Sequence, residues 1–468
     1  MILINEFSGS KAAVLGLGRT GISVLNSLNN SGVDTVCWDD NLDARLQAKE
    51  LGFNVENILH GSNWAEFDLL IISPGISFLY PKPHDVVKMA RQNNVRIDND
   101  IGLFFSSIDK NYWEKFEKEP RIIGVTGSNG KSTTSFLISH LIERAGIPSE
   151  IGGNFGKPVL SFNPFKDGEV KIIELSSYQT EVASTLKCDI SVFLNFSPDH
   201  LERHGGAGGY FNAKQRLFTI GNSERNIICV DNKEGEFLFN SLETDELARG
   251  SNIAIASKRN ISNYGWSVFI NKGFLVEWKN RKQVASFDLK PRLSFLRSFN
   301  LQNICAAYAV ARSLNISPKA IWESLDSFKG LTHRNQLVLE KDGVKYVNDS
   351  KATNVEAALN SILQYDSVRL ILGGLAKKGG ISKLTMHMNQ VKKIYLIGDA
   401  AKDFSSELKG NVEYEISKTL EEAVNSATND SVAGDCILLA PACASFDQFK
   451  DFEERGKKFI SLVENIKN

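Results

Sequence analysis

The segment "TGSNGKSTT", 126–134, sets glycines, one lysine and several hydroxyls in an order suited to gripping a phosphate chain. It follows the apolar run "RIIGV" and leads into the helical pattern "TTSFLISHLIERAG". A helix starting there aims free N–H groups and the positive end of its dipole at an anion, an effect of about 0.3–2 kcal/mol. Lys131 adds a full charge for β- and γ-phosphates, and the Ser132 hydroxyl suits Mg2+. Strict Walker A spacing requires glycine where Val125 stands, so this is a variant P-loop. Gly127, Ser128, Asn129, Gly130, Lys131, Ser132 and Thr133 are the candidate ATP contacts.

A second glycine loop, "GLGRTG", places Gly16, Gly18 and Gly21 directly after the strand-like "AAVL". That is GxGxxG in the context it needs: a tight turn, a close backbone approach to phosphate and a helix behind. Asp39 and Asp40 end the next apolar run, where a carboxylate can accept from ribose hydroxyls. Taken alone the loop suggests NAD or NADP, or glycines that only let a helix pack on a strand. A dehydrogenase has no use for a phosphate-gripping lysine in another domain. One loop for a nucleotide-bearing substrate and one for ATP fits both.

Four further segments bear on phosphoryl transfer. "IIELSSYQTE" puts Glu174 at a strand end in the P-loop domain, where a Mg2+-binding carboxylate would stand. "LNFSPDHLERHGG" puts Asp199 and His200 after the next strand, His200 being either a metal ligand or a loop residue bonded to backbone. "HRNQ", 333–336, and "NDSKATN", 348–354, flank a hairpin pattern and bring Arg334, Asp349 and Lys351 near one another. These serve transferring phosphate and nucleotide, or form an ordinary surface ion pair worth under about 1 kcal/mol.

The elements that must hold these residues follow from the rhythm of the chain. Short Val/Ile/Leu runs alternate with helical patterns, which means βαβ units and parallel sheets. "WSVFINKGFLVEW" alternates polar and apolar residues like antiparallel hairpins, and "NLQNICAAYAVARSLN" reads as a helix facing inward through Ile304, Tyr308, Ala311 and Leu314. "LEKDGVKY" predicts a hairpin turning at Asp342-Gly343. The expected fold is α/β with three domains. A Rossmann-like domain spans 1–107, and a P-loop domain with a mostly parallel sheet and a small antiparallel part spans 108–329. A second Rossmann-like domain spans 330–468.

The 468 residues carry 54 Lys+Arg against 55 Asp+Glu, a balance that offers nucleic acid no broad basic surface. No apolar run approaches the about 20 residues that cross a bilayer, and the N-terminus lacks a signal-peptide pattern. The six cysteines form no CxxC pair, which suits core residues in a reducing compartment. A cytoplasmic protein, monomeric, without nucleic-acid or membrane partners, is expected.

"TGSNGKST", "ELSSYQTE", "NFSPDH", "LTHRNQ" and "NDSKATN" stand in an order and rough spacing that resemble the Mur ligases, ATP-dependent amino-acid-adding enzymes of peptidoglycan synthesis. "SPGI" at 73–76, "GGNFG" at 152–156 and "LAPACASFDQFKDFEERG" at 439–456 look most like the branch that joins D-glutamate to UDP-N-acetylmuramoyl-L-alanine. The "DNPR"-like motif of relatives that add diaminopimelate or lysine is missing. The resemblance covers nearly the whole chain. It implies that the first loop holds UDP rather than NAD, and that ATP activates the muramoyl carboxylate as an acyl phosphate which the D-glutamate amine attacks.

By the same resemblance Lys131, His200, Lys214, Arg334 and Lys351 are catalytic. Ser132 and Glu174 hold one Mg2+; His200 and Lys214 of "YFNAKQRLF", carbamoylated, hold a second. Carbamoylation needs a neutral amine, which for an ordinary lysine costs about 5 kcal/mol at pH 7. Adenine and phosphates meet Asn300, Asn303, Arg334 and Asp349, Asn300 being equally suited to capping a helix. UDP meets Gly18, Arg19, Thr20, Asp39, Ser73 and Gly75, and the muramoyl part meets Asn154 and His200. D-Glutamate meets Thr353, Ser445, Phe452 and Lys377, with Lys378 adjacent. Other readings are another Mur-type or folylpolyglutamate-type ATP-dependent amino-acid ligase, an NAD(P)-dependent oxidoreductase and a non-enzymatic nucleotide-binding regulator.

Overall fold

Each glycine loop follows a strand that is flanked on both sides, and this sets where the sites lie. The computed structural model describes residues 1–60, 63–108, 112–221, 223–244, 250–292, 301–328, 330–376 and 380–466. Asn300, Lys377 and Lys378 lie outside them.

The first sheet has strands β1 (Lys11–Leu15), β2 (Asp34–Trp38), β3 (Leu69–Ile72) and β4 (Arg96–Asp98) in the order β2-β1-β3-β4, all parallel. The second has nine: β5 (Arg121–Thr126), β6 (Ser149–Gly153), β7 (Val170–Glu174), β8 (Ile190–Phe193), β9 (Arg225–Cys229), β10 (Ser251–Ala256), β11 (Trp266–Asn271), β12 (Phe274–Lys279) and β13 (Lys282–Asp288). Their order is β13-β12-β11-β10-β9-β8-β5-β7-β6, parallel except for the expected hairpins β11–β12 and β12–β13.

One apolar core runs through both sheets, joining Leu25, Ile101 and Phe104 to Val159, Phe162 and Leu186. Cross-links reinforce it: Ile2 N–H donates to Leu160 O at 2.9 Å and Asn99 Nδ2 to Gln179 O at 2.8 Å. Met1–Leu289 with Leu301–Phe328 accordingly forms one compact unit. The helix Leu301–Ser313 differs from its expected one-sided pattern. Gln302 to Ala311 are all buried, because the helix lies against the helix Lys131–Arg144 and against β9, β10 and β11, leaving no solvent face.

Among the described residues the second unit takes in 290–292, 330–376 and 380–466. Its sheet comprises β14 (Gln336–Lys341), β15 (Val344–Asn348), β16 (Val368–Gly373), β17 (Val391–Ile397), β18 (Tyr414–Lys418) and β19 (Cys436–Leu439), ordered β14-β15-β19-β16-β17-β18. Only β14–β15 is antiparallel, and Asp342 and Gly343 turn it with positive φ, as a two-residue hairpin requires. All six cysteines are buried free thiols. Among the described residues, no helix is long and apolar enough to cross a membrane.

Candidate active site

Strand β5 lies between β7 and β8, so the loop after it opens at a point where chain connections leave in opposite directions, the usual place for a ligand. Gly130 occupies the N-cap of the helix Lys131–Arg144 in the left-handed region (φ 85°). A Cβ there would also stand 2.5 Å from Asn303 Oδ1, so both conformation and space demand glycine. Asn303, expected at the nucleotide, thus lies against the P-loop; its buried Oδ1 has no hydrogen-bond partner.

The loop is pinned from β8. Ser128 N–H donates to Asn195 O at 3.0 Å and Asn129 N–H to Asn195 Oδ1 at 2.9 Å. Asn195 Nδ2 returns bonds to Asn129 O at 3.1 Å and to Gln302 Oε1 at 2.7 Å. The Ser128 hydroxyl donates to Ser197 O at 3.0 Å and lies 3.2 Å from the Tyr210 hydroxyl. Asn195 is a residue that sequence reading passed over; its one local signal is a polar side chain just beyond an apolar strand end.

Lys131 folds over its own loop, Nζ donating to Gly127 O at 2.9 Å and Ser128 O at 3.0 Å. Lys214 reaches the same Gly127 oxygen at 2.9 Å from the buried side of the helix Ala207–Thr219. Its ammonium nitrogen lies 4.5 Å from the Tyr210 ring centroid. Burial, and next the charge of Lys131, hold the Lys214 amine well below the ordinary lysine range, against the pull of Asp199 and Glu174. Ser132 and Thr133 are buried in the first helical turn. The Ser132 hydroxyl donates to Glu174 Oε2, and Asn154 Nδ2 donates to the other carboxylate oxygen at 3.1 Å. The structure therefore brings Lys131, Ser132, Asn154, Glu174 and Lys214 together. His200 takes a left-handed conformation (φ 52°) beside Asp199, whose Oδ1 accepts its N–H at 3.0 Å, and packs on Tyr178 with centroids 5.1 Å apart.

The first glycine loop has the same placement, β1 lying between β2 and β3. Gly18 is the N-cap of the helix Arg19–Asn30 and makes no side-chain cap, leaving the exposed Arg19 and half-buried Thr20 at its opening turn. Ser73 Oγ donates to Gly16 O at 2.9 Å. Asp39 accepts from Leu17 N–H through Oδ2 (2.7 Å) and from Asn41 N–H through Oδ1 (2.8 Å), so its carboxylate shapes the loop. Gly75 faces solvent, and its carbonyl accepts from Arg203 at 3.0 Å; the Ile76 carbonyl accepts from the same guanidinium at 2.9 Å. Arg203 also lies over Tyr178, 4.9 Å from its centroid. Tyr178 thus touches both His200 and the arginine that grips the loop of Gly75, a link that the sequence does not announce.

In the second unit, Asp349 follows β15. Burial pushes its carboxyl up to about 6, against the Ser361 hydroxyl that donates to it and the charge of Arg334. Lys351 Nζ stands 3.8 Å from the Phe452 ring centroid, and Lys351 N–H donates to His333 O at 3.1 Å. Thr353 N–H donates to Lys351 O at 2.7 Å. Ser445 is buried after β19, beside the Leu375–Ala444 bridge that ties this loop to the one after β16. Arg334 is thereby coupled to Asp349, and Lys351 to Phe452.

Family comparison assigns each part. A Mur ligase MurD-like N-terminal domain matches 10–97, a Mur ligase middle domain 125–311 and a Mur ligase glutamate ligase domain 333–443. Proteins named UDP-N-acetylmuramoylalanine–D-glutamate ligase match end to end. That of Cereibacter sphaeroides is 46% identical over 100% of both chains, and that of Roseobacter denitrificans 48% identical over 99% of both. The chain belongs to the Mur ligase family. Solved structures share its fold at low identity. The UDP-N-acetylmuramate-alanine ligase MurC of Thermotoga maritima has TM-score 0.55 at 15% identity over 97% of this chain and 99% of that one. A pseudomurein peptide ligase type C of Methanothermus fervidus has TM-score 0.56 at 17% identity over 98% of this chain and 100% of that one. In this Mur ligase the P-loop, Glu174, Asn195 and Lys214 all fall in the middle-domain match, and the loops of Gly18, Asp39 and Ser73 in the N-terminal one.

Proposed function

We infer that this Mur ligase joins D-glutamate to UDP-N-acetylmuramoyl-L-alanine in peptidoglycan precursor synthesis, using ATP. Full-length relatives bearing that activity in their name support the reading. The observation that carries its chemistry is the convergence on Gly127: Lys131 and Lys214 share its carbonyl while Ser132 meets Glu174 one turn away.

A carboxylate is a poor electrophile, so the γ-phosphoryl group must first be moved onto it, and two anions must approach. Lys131 draws the phosphate chain, and the N-terminal turn of the helix Lys131–Arg144 orients it with its dipole. Ser132 and Glu174 offer hard oxygens fit for Mg2+, which when bound neutralises phosphate charge. Lys214 is buried, and its amine is drawn well below the ordinary lysine range, toward the neutral form that carbamoylation needs; as a carbamate it would hold a second Mg2+ with His200. Arg334 and Lys351 are the cations assigned to the transferring phosphoryl group, and Asn300, Asn303 and Asp349 to ATP.

Residues 1–107 are assigned to UDP through Gly18, Arg19, Thr20, Asp39, Ser73 and Gly75, with Asn154 and His200 at the muramoyl part. Residues 108–329 are assigned to ATP, and 330–468 to D-glutamate through Thr353, Lys377, Ser445 and Phe452. The enzyme acts as a cytoplasmic monomer. Phosphate release measured with UDP-N-acetylmuramoyl-L-alanine and ATP tests the reading: it must depend on D-glutamate. Equal release with L-glutamate or diaminopimelate sinks it.

A further inference from the structure

Arg455 lies in the first turn of the helix Phe452–Ile466 and is 1% exposed, the largest fully buried side chain among the described residues. Arginine is rarely buried without a carboxylate partner, because removing its charge from water costs several kcal/mol. Here neutral oxygens satisfy the fork instead. Nε donates to Ser350 Oγ at 3.0 Å, and Nη2 to Ser350 O at 2.8 Å and Cys443 O at 3.1 Å. Nη1 reaches Ala444 O at 3.4 Å. Burial lowers the guanidinium to about 10, so it remains a cation at neutral pH.

Those oxygens belong to two loops at the carboxyl edge of the sheet. Ser350 stands between Asp349 and Lys351, after β15; Cys443 and Ala444 stand immediately before Ser445, after β19. The Ser350 hydroxyl donates to Phe452 O at 2.8 Å, closing a ring with the residue whose side chain lies under Lys351. Ala444 also pairs with Leu375, whose N–H donates to Ala444 O at 2.9 Å. One guanidinium therefore sets the spacing of Lys351, Ser445 and Phe452. Lysine cannot reproduce this, since it lacks the planar fork.

We propose that Arg455 is the positioning residue of the amino-acid seat, joining the loop of Lys351 and Thr353 to the loop of Ser445. This rests on the assignment of Thr353, Ser445 and Phe452 to D-glutamate. Misplacing the fork would therefore spread the loops of Lys351 and Ser445 apart.

The test is steady-state kinetics of Arg455→Lys, with thermal melting to verify folding. The expected result is a KM for D-glutamate raised about tenfold, with the KM of ATP and of the UDP substrate changed less than about threefold. The kcat falls too, because Lys351 shares the loop. A folded variant with an unchanged D-glutamate KM overturns the proposal, as does an equal rise in all three KM values. If Arg455→Lys does not fold, Ser350→Ala decides: it removes one acceptor and should raise the D-glutamate KM about threefold, and no change overturns the proposal. Thr353→Ala and Ser445→Ala separate the two layers. If neither moves the D-glutamate KM, the seat is elsewhere and the proposal falls with it. If both raise it while Arg455→Lys does not, the seat stands and only the role of Arg455 is lost.

Discussion

The two glycine loops share a plan and differ in what surrounds them. Each follows a central parallel strand, each opens a helix with a glycine N-cap, and each is held by a polar side chain from a neighbouring strand end: Asp39 for the first, Asn195 for the second. The second is ringed by Lys131, Lys214, Ser132 and Glu174, whereas the first has Arg19 and Thr20 at its opening turn and Asp39 and Ser73 bonded to its backbone. A diphosphate that is merely held needs backbone N–H groups and a dipole. A phosphoryl group that moves needs concentrated charge, since charge redistributes during transfer. The GxGxxG signature reports the shared plan; the side chains around it report the chemistry.

The sharpest way to break this contrast is Lys131→Ala. Turnover should fall by about 10³, or about 4 kcal/mol, while calorimetry finds affinity for the UDP substrate within about threefold of the wild type. Retention of more than a tenth of the wild-type turnover would leave the second loop no different in kind from the first.

Lys214→Met comes next, with an expected loss of about 10² in turnover. Its stability should move the other way. In the folded wild type burial draws this amine well below the ordinary lysine range, whereas the unfolded chain binds a proton there up to the ordinary lysine value near 10.5. Stability of the wild type therefore climbs with pH between the depressed folded value and about 10.5, and Met removes that climb. Urea unfolding at pH 7 and pH 9 should show Lys214→Met the more stable at pH 7, with the gap narrowing at pH 9.

Much of this was legible because it is local. Strand, loop, lysine and helix lie within 121–144, and the hairpin at Asp342-Gly343 within a dozen residues, so adjacency in sequence is adjacency in space. Asn195 acts on a residue 66 positions away, Arg455 on one 105 away and Arg203 on one 128 away. No spacing rule reaches so far, and each looks like an ordinary polar residue in its own segment. The helix Leu301–Ser313 misled for the same reason: its alanines and cysteine fill both sides, and only the elements packed on it show that neither is wet.

Gly21→Ala perturbs the first loop alone. A Cβ there would collide with the Gly16 carbonyl oxygen, part of the turn we assign to the UDP substrate. Relieving such a clash costs about 1–3 kcal/mol, so the KM of the UDP substrate should rise about tenfold while that of ATP is unchanged. A parallel rise in both would mean that the two loops act as one.

The smallest effect separates two duties of Asp39. Both of its oxygens already accept backbone N–H groups, from Leu17 and Asn41, and Arg45 donates to its carbonyl at 2.6 Å. Asparagine has one oxygen, so Asp39→Asn keeps one of the two bonds and turns an NH2 group toward the other donor. For a half-buried group that costs about 1 kcal/mol, or about fivefold in affinity for the UDP substrate, with no effect on ATP. A carboxylate that also grips a ribose hydroxyl or the uracil ring adds a charge-assisted bond, and the loss would then exceed about 50-fold. Titration calorimetry with UDP alone and with the whole substrate distinguishes the two, because only direct contact produces the larger loss with both ligands.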